Sequence, residues 1–406
     1  MRPCFAQADQ AAKMMLVAAV FSIPMPTAWA SIFIPAGLLC WLAAGEYGER
    51  WRLIRGHPGA MAALLLFSLY GLGTLYSVAS FEDALAGWMK YSKLLLIPVV
   101  VSLLSNETWR NRAKEAFFWA MLVVLAVCYL RWLGLLPHED TTKGYYAFKG
   151  RIADSIFMAY FTYLALQRSL SDPPQRWLWR IVALLAAVCV LFLINGRTGQ
   201  LLLPGLMLLL VWTHRNVRLD VAAGVAIILV MVGIFQLADD HLPQARIFQI
   251  AQEIQTHQPQ GAESQWTSSG LRLEFYRNTL ALIREHPWLG WGTGSFPAVY
   301  AKYAQQLGFA LTQLGQPHNE YLLTIQQLGL AGLAVLLLMG WRHWQAARGL
   351  TLIDGNSLRA LILTIGIGGL LNSLLFDSGE GRFYCLLAGV YLSGWRPESV
   401  PNSAER

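Results

Sequence analysis

Stretches of about twenty mostly apolar residues recur along this chain, and no other feature restricts its folding options as far. A hydrocarbon layer about 30 Å thick is crossed by about 17–25 such residues. Lipid offers backbone N–H and C=O groups no partners, so each crossing segment must satisfy its own as a helix. The runs fall near residues 11–29, 31–45, 59–77, 86–104, 115–136, 152–170, 177–194, 199–213, 219–238, 319–340, 357–375 and 382–396. The second, eighth and twelfth are short, and the fourth carries Lys90, Lys93 and Pro98. Pro24, Pro26 and Pro35 are expected to bracket the first turn between helices. The pattern predicts an all-α polytopic membrane protein with about 12 transmembrane helices. Composition agrees: charged residues are 14% of the chain, against about 25% in soluble domains. Many of the 16 tryptophans flank the runs, where amphipathic rings favour the headgroup region.

The connections between runs give a topology. Basic clusters recur at every second connection: Arg50, Arg52 and Arg55; Arg110, Arg112 and Lys114; Arg168, Arg176 and Arg180; Arg215 and Arg218; Arg342, Arg348 and Arg359. Positive loops stay inside, so both termini are expected in the cytoplasm. The net charge of +7 is accounted for by these clusters, and nucleic acid is not an expected partner. The organisation expected is helices one to nine over 1–238, a long extracytoplasmic loop over 239–317, helices ten to twelve over 318–396 and a cytoplasmic tail over 397–406. Arg2 and Lys13 ahead of an apolar run, with Ala28-Trp29-Ala30 behind it, imitate a signal peptide. The reading preferred is an uncleaved first helix. Cys4, Cys40, Cys128, Cys189 and Cys385 show no metal spacing and are read as unpaired.

The long loop has internal order. Residues 243–255 show helical spacing, and 258–270 read as a flexible link. A second helix is expected over 271–286, with Leu271, Phe275, Leu280 and Ile283 against Arg272, Glu274, Arg277 and Arg284, ended by Pro287. The Gly-rich turn Trp288-Leu289-Gly290-Trp291-Gly292-Thr293-Gly294 follows and is expected on the membrane surface. With no strand before it and no Lys-Ser/Thr after it, it does not read as a nucleotide loop.

A few polar residues at the outer ends of helices could carry chemistry. His318, in Pro317-His318-Asn319-Glu320-Tyr321, sits where the long loop re-enters the membrane. Histidine accepts a proton near neutral pH; the plain alternative is a helix-start residue beside an Asn-Glu cap. Arg197 stands in the short outer turn Asn195-Gly196-Arg197-Thr198-Gly199, and Arg272 opens the loop helix. Guanidinium groups grip phosphate oxygens in pairs; the alternatives are a snorkelling interface residue for Arg197 and a solvated helix face for Arg272. Lys90, Lys93, Lys143, Lys149, Arg151 and Arg382 could extend a cationic rim. The outer acidic residues Glu82, Asp83, Glu139, Asp140, Asp377 and Glu380 show no paired spacing, so no metal site is indicated.

This constellation resembles the O-antigen ligase family, whose superfamily also holds O-antigen polymerases and O-linked protein oligosaccharyltransferases. The carriers are Gly196-Arg197-Thr198-Gly199, Arg272 in Leu-Arg-Leu-Glu-Phe-Tyr, Pro287 through Phe296, Pro317-His318-Asn319-Glu320-Tyr321-Leu322, and Gly329-Leu330. They span about residues 190–335. The resemblance implies an architecture like that of membrane glycosyltransferases of the GT-C type. It implies a multi-pass protein of the bacterial inner membrane with its site facing the periplasm. It also implies a reaction: inverting transfer of a glycan from undecaprenyl diphosphate to a sugar hydroxyl of lipid A–core, with no metal, nucleotide or other cofactor. In that scheme Arg197 and Arg272 hold the leaving diphosphate and His318 takes the acceptor's proton. Lys90, Lys93, Arg151, Arg382, Asn319 and Tyr321 contact substrate. The partners are the lipid-linked donor, the lipid A–core acceptor and membrane lipids. The short C-terminal tail disfavours a protein-directed transferase; a polymerase fits the same residues. A transporter of polysaccharide or lipid is the non-enzymatic alternative. It would show internal repeats with broken helices at the midplane, whereas here no repeat is seen and the unusual polar residues gather on one face.

Overall fold

The computed structural model describes residues 3–138, 144–214, 267–308 and 313–396. The apolar run 219–238, the helical pattern 243–255, most of the link 258–270, Lys143 and several loop charges lie outside them. The described helices are α1 (Pro3–Phe21), α2 (Thr27–Ala43), α3 (Tyr47–Gly56), α4 (Pro58–Gly73), α5 (Phe81–Met89), α6 (Leu96–Leu103), α7 (Glu107–Trp132), α8 (Arg151–Ser171), α9 (Arg176–Val188) and α10 (Arg197–Thr213). After the long loop come α11 (Ser268–Glu285), α12 (Phe296–Gln306), α13 (Glu320–Ala346), α14 (Leu352–Gly368) and α15 (Ser378–Leu392). Among the described residues the only β pairing is a single bridge between Gly144 and Ile194.

Polar caps mark where several helices start. Side-chain oxygens of Ser80, Asn106, Thr267, Asn319 and Thr351 each accept a backbone N–H from the first turn of α5, α7, α11, α13 and α14. The predicted loop helix is therefore α11, begun three residues earlier by its Thr267 cap. Pro35 lies inside α2 and does not bracket a turn. A helix at membrane depth tolerates proline where neighbouring groups take up the freed carbonyl.

The fold is an all-α membrane protein. Four helical stretches among the described residues are long and apolar enough to cross a bilayer: Phe81–Leu103, Glu107–Trp132, Pro173–Leu193 and Glu320–Gly349. Counting the pair Thr27–Ala43 and Tyr47–Gly56, bent by 115°, as one broken span gives five. Most of the other apolar runs also fold as helices, but α4, α10, α14 and α15 are 15–17 residues long. A straight crossing takes about 20. The helices pack as one bundle, with α1 on α2 and α7, α8 on α9 and α10, α13 on α4, and α15 on α6.

One break in this bundle is closed by the Gly-rich turn. Gly329 interrupts α13 with φ 64° and ψ −165°, a conformation open only to glycine. The break frees backbone groups that would be costly to leave unpaired inside a membrane protein. The Gly-rich turn supplies them: Trp291 N donates to Gln326 O at 2.9 Å, Gly292 N to Gln327 O at 2.8 Å, and Leu330 N donates to Pro287 O at 2.8 Å. A Cβ on Gly329 would run into the carbonyl of Trp288. The other side of the turn is welded to the end of α4, where Thr293 N donates to Gly73 O at 3.0 Å and Thr293 Oγ1 to Tyr70 O at 2.6 Å. Trp288 is 72% exposed, whereas Thr293 and Ser295 are fully buried. The turn expected on the surface thus has its second half inside the protein.

Candidate functional site

Arg197 is presented by a break in the helix path. Residues Cys189–Leu193 form a π-helical turn that widens the end of α9, and Asn195 and Gly196 reverse the chain into α10. Gly196 and Gly199 face Ser155 on α8, and a Cβ on either would collide with it. The two glycines therefore let the start of α10 lie against α8. Arg197 and Thr198 are left to point to other partners. Arg197 Nη1 donates to Ser269 Oγ at 2.7 Å, in the first turn of α11.

Arg272 follows Ser269 by three positions, on the same helix face. Its Nη2 makes a long contact of 3.5 Å to Asn372 Oδ1. Asn372 Nδ2 in turn donates to Thr198 Oγ1 at 2.8 Å. The contacts close a ring from Arg197 through Ser269, Arg272, Asn372 and Thr198 back to Arg197. Two guanidinium groups 75 positions apart in sequence are thereby held in one cluster.

His318 completes the cluster from the long loop. Its φ is 55°, an uncommon conformation for a residue with a side chain. The start of α13 enforces it: Asn319 Oδ1 caps Leu322 N at 3.0 Å, while Asn319 Nδ2 donates to Leu370 O at 3.0 Å. Tyr276, one helical turn beyond Arg272, lies with its hydroxyl 3.0 Å from His318 O and 2.9 Å from Leu370 O, sharing its proton between them. The imidazole packs 6.2 Å from the Phe275 ring. Burial pushes its pKa below the usual 6.5, and the positive charge of Arg272 pushes it the same way. Neutral imidazole is therefore the dominant form at neutral pH, the form that accepts a proton.

The other expected residues divide. Lys93 Nζ donates to Phe376 O at 2.9 Å and to Asp377 O at 2.7 Å, and Lys90 Nζ stands 4.0 Å over the Phe376 ring. Both therefore meet the connector between α14 and α15 that also carries Asn372. Asp377 accepts from Gln316 Nε2 at 2.8 Å. Its pKa is raised by burial and held back by that bond and by the charges of Lys93 and Lys90. Tyr321 donates to Gly366 O at 2.7 Å. Arg151 begins α8 and meets Gly196 through its backbone. Arg382, on the first turn of α15, acts on Lys149, whose pKa is lowered by burial and next by the Arg382 charge. Among the described residues no three His, Cys, Asp or Glu side chains gather as metal ligands would.

Sequence reasoning missed Ser269, Tyr276, Glu320 and Asn372 as members of the site. The first two carried a signal: positions 269, 272 and 276 share one helix face. Asn372 carried none, since it lies within an apolar run. Beside the cluster, a cleft of about 330 Å³ begins at Glu320 and Tyr321 and continues between α13, α14 and α15 past Gly366 and Leu375 to Trp341 and Trp344.

Residues 182–337 match the family model described as O-antigen ligase. The match contains Arg197, Arg272, His318 and Gly329, and with them every motif of the resemblance noted above. A search of curated proteins returned no match.

Proposed function

We propose, from the match of residues 182–337 to the O-antigen ligase family model, that the protein is a membrane glycosyltransferase that moves a glycan from undecaprenyl diphosphate to a sugar hydroxyl of lipid A–core. The observation that carries this reading is the meeting of Arg197, Arg272 and His318, delivered by three separate segments. Breaking the glycosyl–phosphate bond leaves negative charge on the diphosphate. Fixed guanidinium groups in a poorly hydrated site stabilise that charge as it develops. His318 is kept neutral, and its role is to take the proton from the attacking hydroxyl. Attack from the side opposite the diphosphate inverts the anomeric carbon. Lys90, Arg151 and Arg382 line the approach of the anionic donor, and the cleft below Glu320 and Tyr321 suits a lipid chain. The charge sits where the leaving group needs it, so the reaction proceeds without a metal. The site faces the periplasm of the inner membrane, with both termini in the cytoplasm.

The test is reconstitution: purified protein, undecaprenyl-diphosphate-linked glycan and rough lipopolysaccharide. Glycan appearing on lipid A–core supports the ligase. A lengthened glycan still on the carrier makes the protein a polymerase. Movement of unaltered labelled donor across proteoliposomes makes it a transporter.

A further inference from the structure

We infer that Glu320 and Lys93 are positioning residues: from opposite sides they fix the connector 369–377, and through it the Arg272 guanidinium and the backbone at His318. The inference rests on the transfer reaction proposed above. Glu320 follows the base candidate by two positions and is 3% exposed. Its Oε2 accepts Leu375 N at 2.7 Å and Phe376 N at 3.3 Å, while its own N–H donates to Gly369 O at 2.8 Å. Lys93 donates to the carbonyls of Phe376 and Asp377. A carboxylate thus takes the amides, and an ammonium the carbonyls, of one short stretch of chain. Phe376 is gripped by both, through its N–H and its C=O.

What the connector carries shows what this grip is for. Between the gripped ends lie Leu370, whose carbonyl receives Tyr276 and Asn319, and Asn372, which is 2% exposed and meets Arg272 and Thr198. No helix spans residues 371–377; Asn372 N donates to Gly368 O at 3.0 Å at the end of α14, and beyond Asn372 the connector is held from other elements by Glu320 and Lys93. Glu320 Oε1 is buried and has no hydrogen-bond partner among the described residues. One oxygen does the holding, and glutamine can supply that oxygen equally well. Its amide nitrogen would then occupy the vacant position. A role in holding and a role in proton transfer therefore predict different results for the same substitution.

The experiment uses the full-length protein in lipid nanodiscs. Glu320→Gln is expected to keep at least about a third of wild-type turnover, because the acceptor survives. Glu320→Ala is expected to lose about 10- to 100-fold in kcat, the scale of a small misplacement of a charged group, with a smaller change in the donor KM. Glu320→Ala combined with Asn372→Ala should be no worse than the more damaged single variant, since both act through one contact. Hydrogen exchange of the Leu375 amide, which donates to Glu320, should accelerate about tenfold or more in Glu320→Ala and stay near wild type in Glu320→Gln. If Glu320→Ala does not fold, Lys93→Met releases the carbonyl side of the same connector, with the same fall in kcat expected and the same absence of additivity with Asn372→Ala. Loss of activity in Glu320→Gln equal to that in Glu320→Ala, additive losses with Asn372→Ala, or unchanged amide exchange each overturns the inference. If the wild-type protein transfers no glycan at all, the proposed reaction falls, and the exchange measurement still decides whether Glu320 holds the connector.

Discussion

Two irregular segments meet at the same end of the bundle, and they use their polar groups in opposite ways. In the turn from Pro287 to Ser295 the polar groups are backbone amides, and protein acceptors take those of Gly290 through Ser295 in succession. Trp291, Gly292 and Thr293 donate to carbonyls of α13 and α4, and Gly294 N donates to Gln327 Oε1 at 2.8 Å. In the cluster of Arg197, Arg272 and His318 the polar groups are side chains, two cationic and one basic, and they converge from separate segments. Both segments lie within the stretch that matches the O-antigen ligase family model. The glycine motif closes a wound in a helix; the arginine–histidine motif gathers charge where a substrate can meet it.

The largest effect expected on this comparison is at His318. His318→Ala should abolish transfer, a loss on the order of 10²–10⁴-fold or more from the general base alone, with membrane insertion and thermal stability unchanged. Near-normal turnover in the purified protein would remove His318 from the chemistry. Next come the guanidinium groups. Arg197→Ala and Arg272→Ala should each cost roughly 2–4 kcal/mol of transition-state stabilisation. Lysine in either place should restore only part of it, because a point charge lacks the planar fork. Full rescue by lysine would show that charge alone suffices.

Gly329→Ala tests the other side. Its positive φ costs about 1–3 kcal/mol for a residue with a side chain, and the collision with Trp288 adds to that. The folded yield should fall while turnover per folded molecule holds. A well-folded but inactive Gly329→Ala protein would erase the distinction between the two segments. A smaller effect concerns pH. Because burial and Arg272 both lower the His318 pKa, the acidic limb of kcat/KM should lie below pH 6.5. Activity should be full above that limb and fall as His318 protonates. Arg272→Met removes the second cause, so its residual activity should show the limb moved upward, toward 6.5. The smallest effect is expected from chelation. Excess chelator should leave transfer unchanged, and activity lost with chelator and restored by magnesium would make Asp377 and Glu380 the first ligands to mutate.

The broad architecture could be read from the chain because apolar length and helical geometry are nearly the same information in a membrane. The number of straight crossings could not. Short helices such as α5 and α6 are joined by tight turns at Tyr91–Leu95, and α13 breaks at Gly329. Hydropathy averages over such joints. Arg197 stood out as a polar group where lipid makes polarity expensive, and His318 as a histidine where the long loop re-enters the membrane; Arg272, on a loop helix, is marked by the resemblance alone. Asn372 and Glu320 did not stand out. Asn372 is one amide in Leu370-Leu371-Asn372-Ser373-Leu374-Leu375, and Glu320 reads as an ordinary first-turn acid. Their partners are set by a fold that joins α11, α13 and the connector only in three dimensions. Asn319 shows the reverse: the cap reading set beside His318 describes its oxygen correctly.

The weld at Gly329 joins main chain to main chain. Its four bonds, from Trp291 and Gly292 to Gln326 and Gln327 and from Leu330 and Ala331 to Pro287 and Trp288, involve no side-chain atom. Identity at Trp288 and Leu289, whose rings and methyls point away from the join, is therefore cheap to alter. Length is not. One residue inserted or deleted between Pro287 and Gly292 would shift every donor past its acceptor, as a slipped tooth disengages a zip. This part of the chain accordingly tolerates spelling changes at those two positions and resists changes of metre: across descendants of this sequence, substitutions can accumulate at Trp288 and Leu289, while the spacing of the turn stays constant and so do Gly290, Gly292 and Gly294, where an added Cβ would strike backbone.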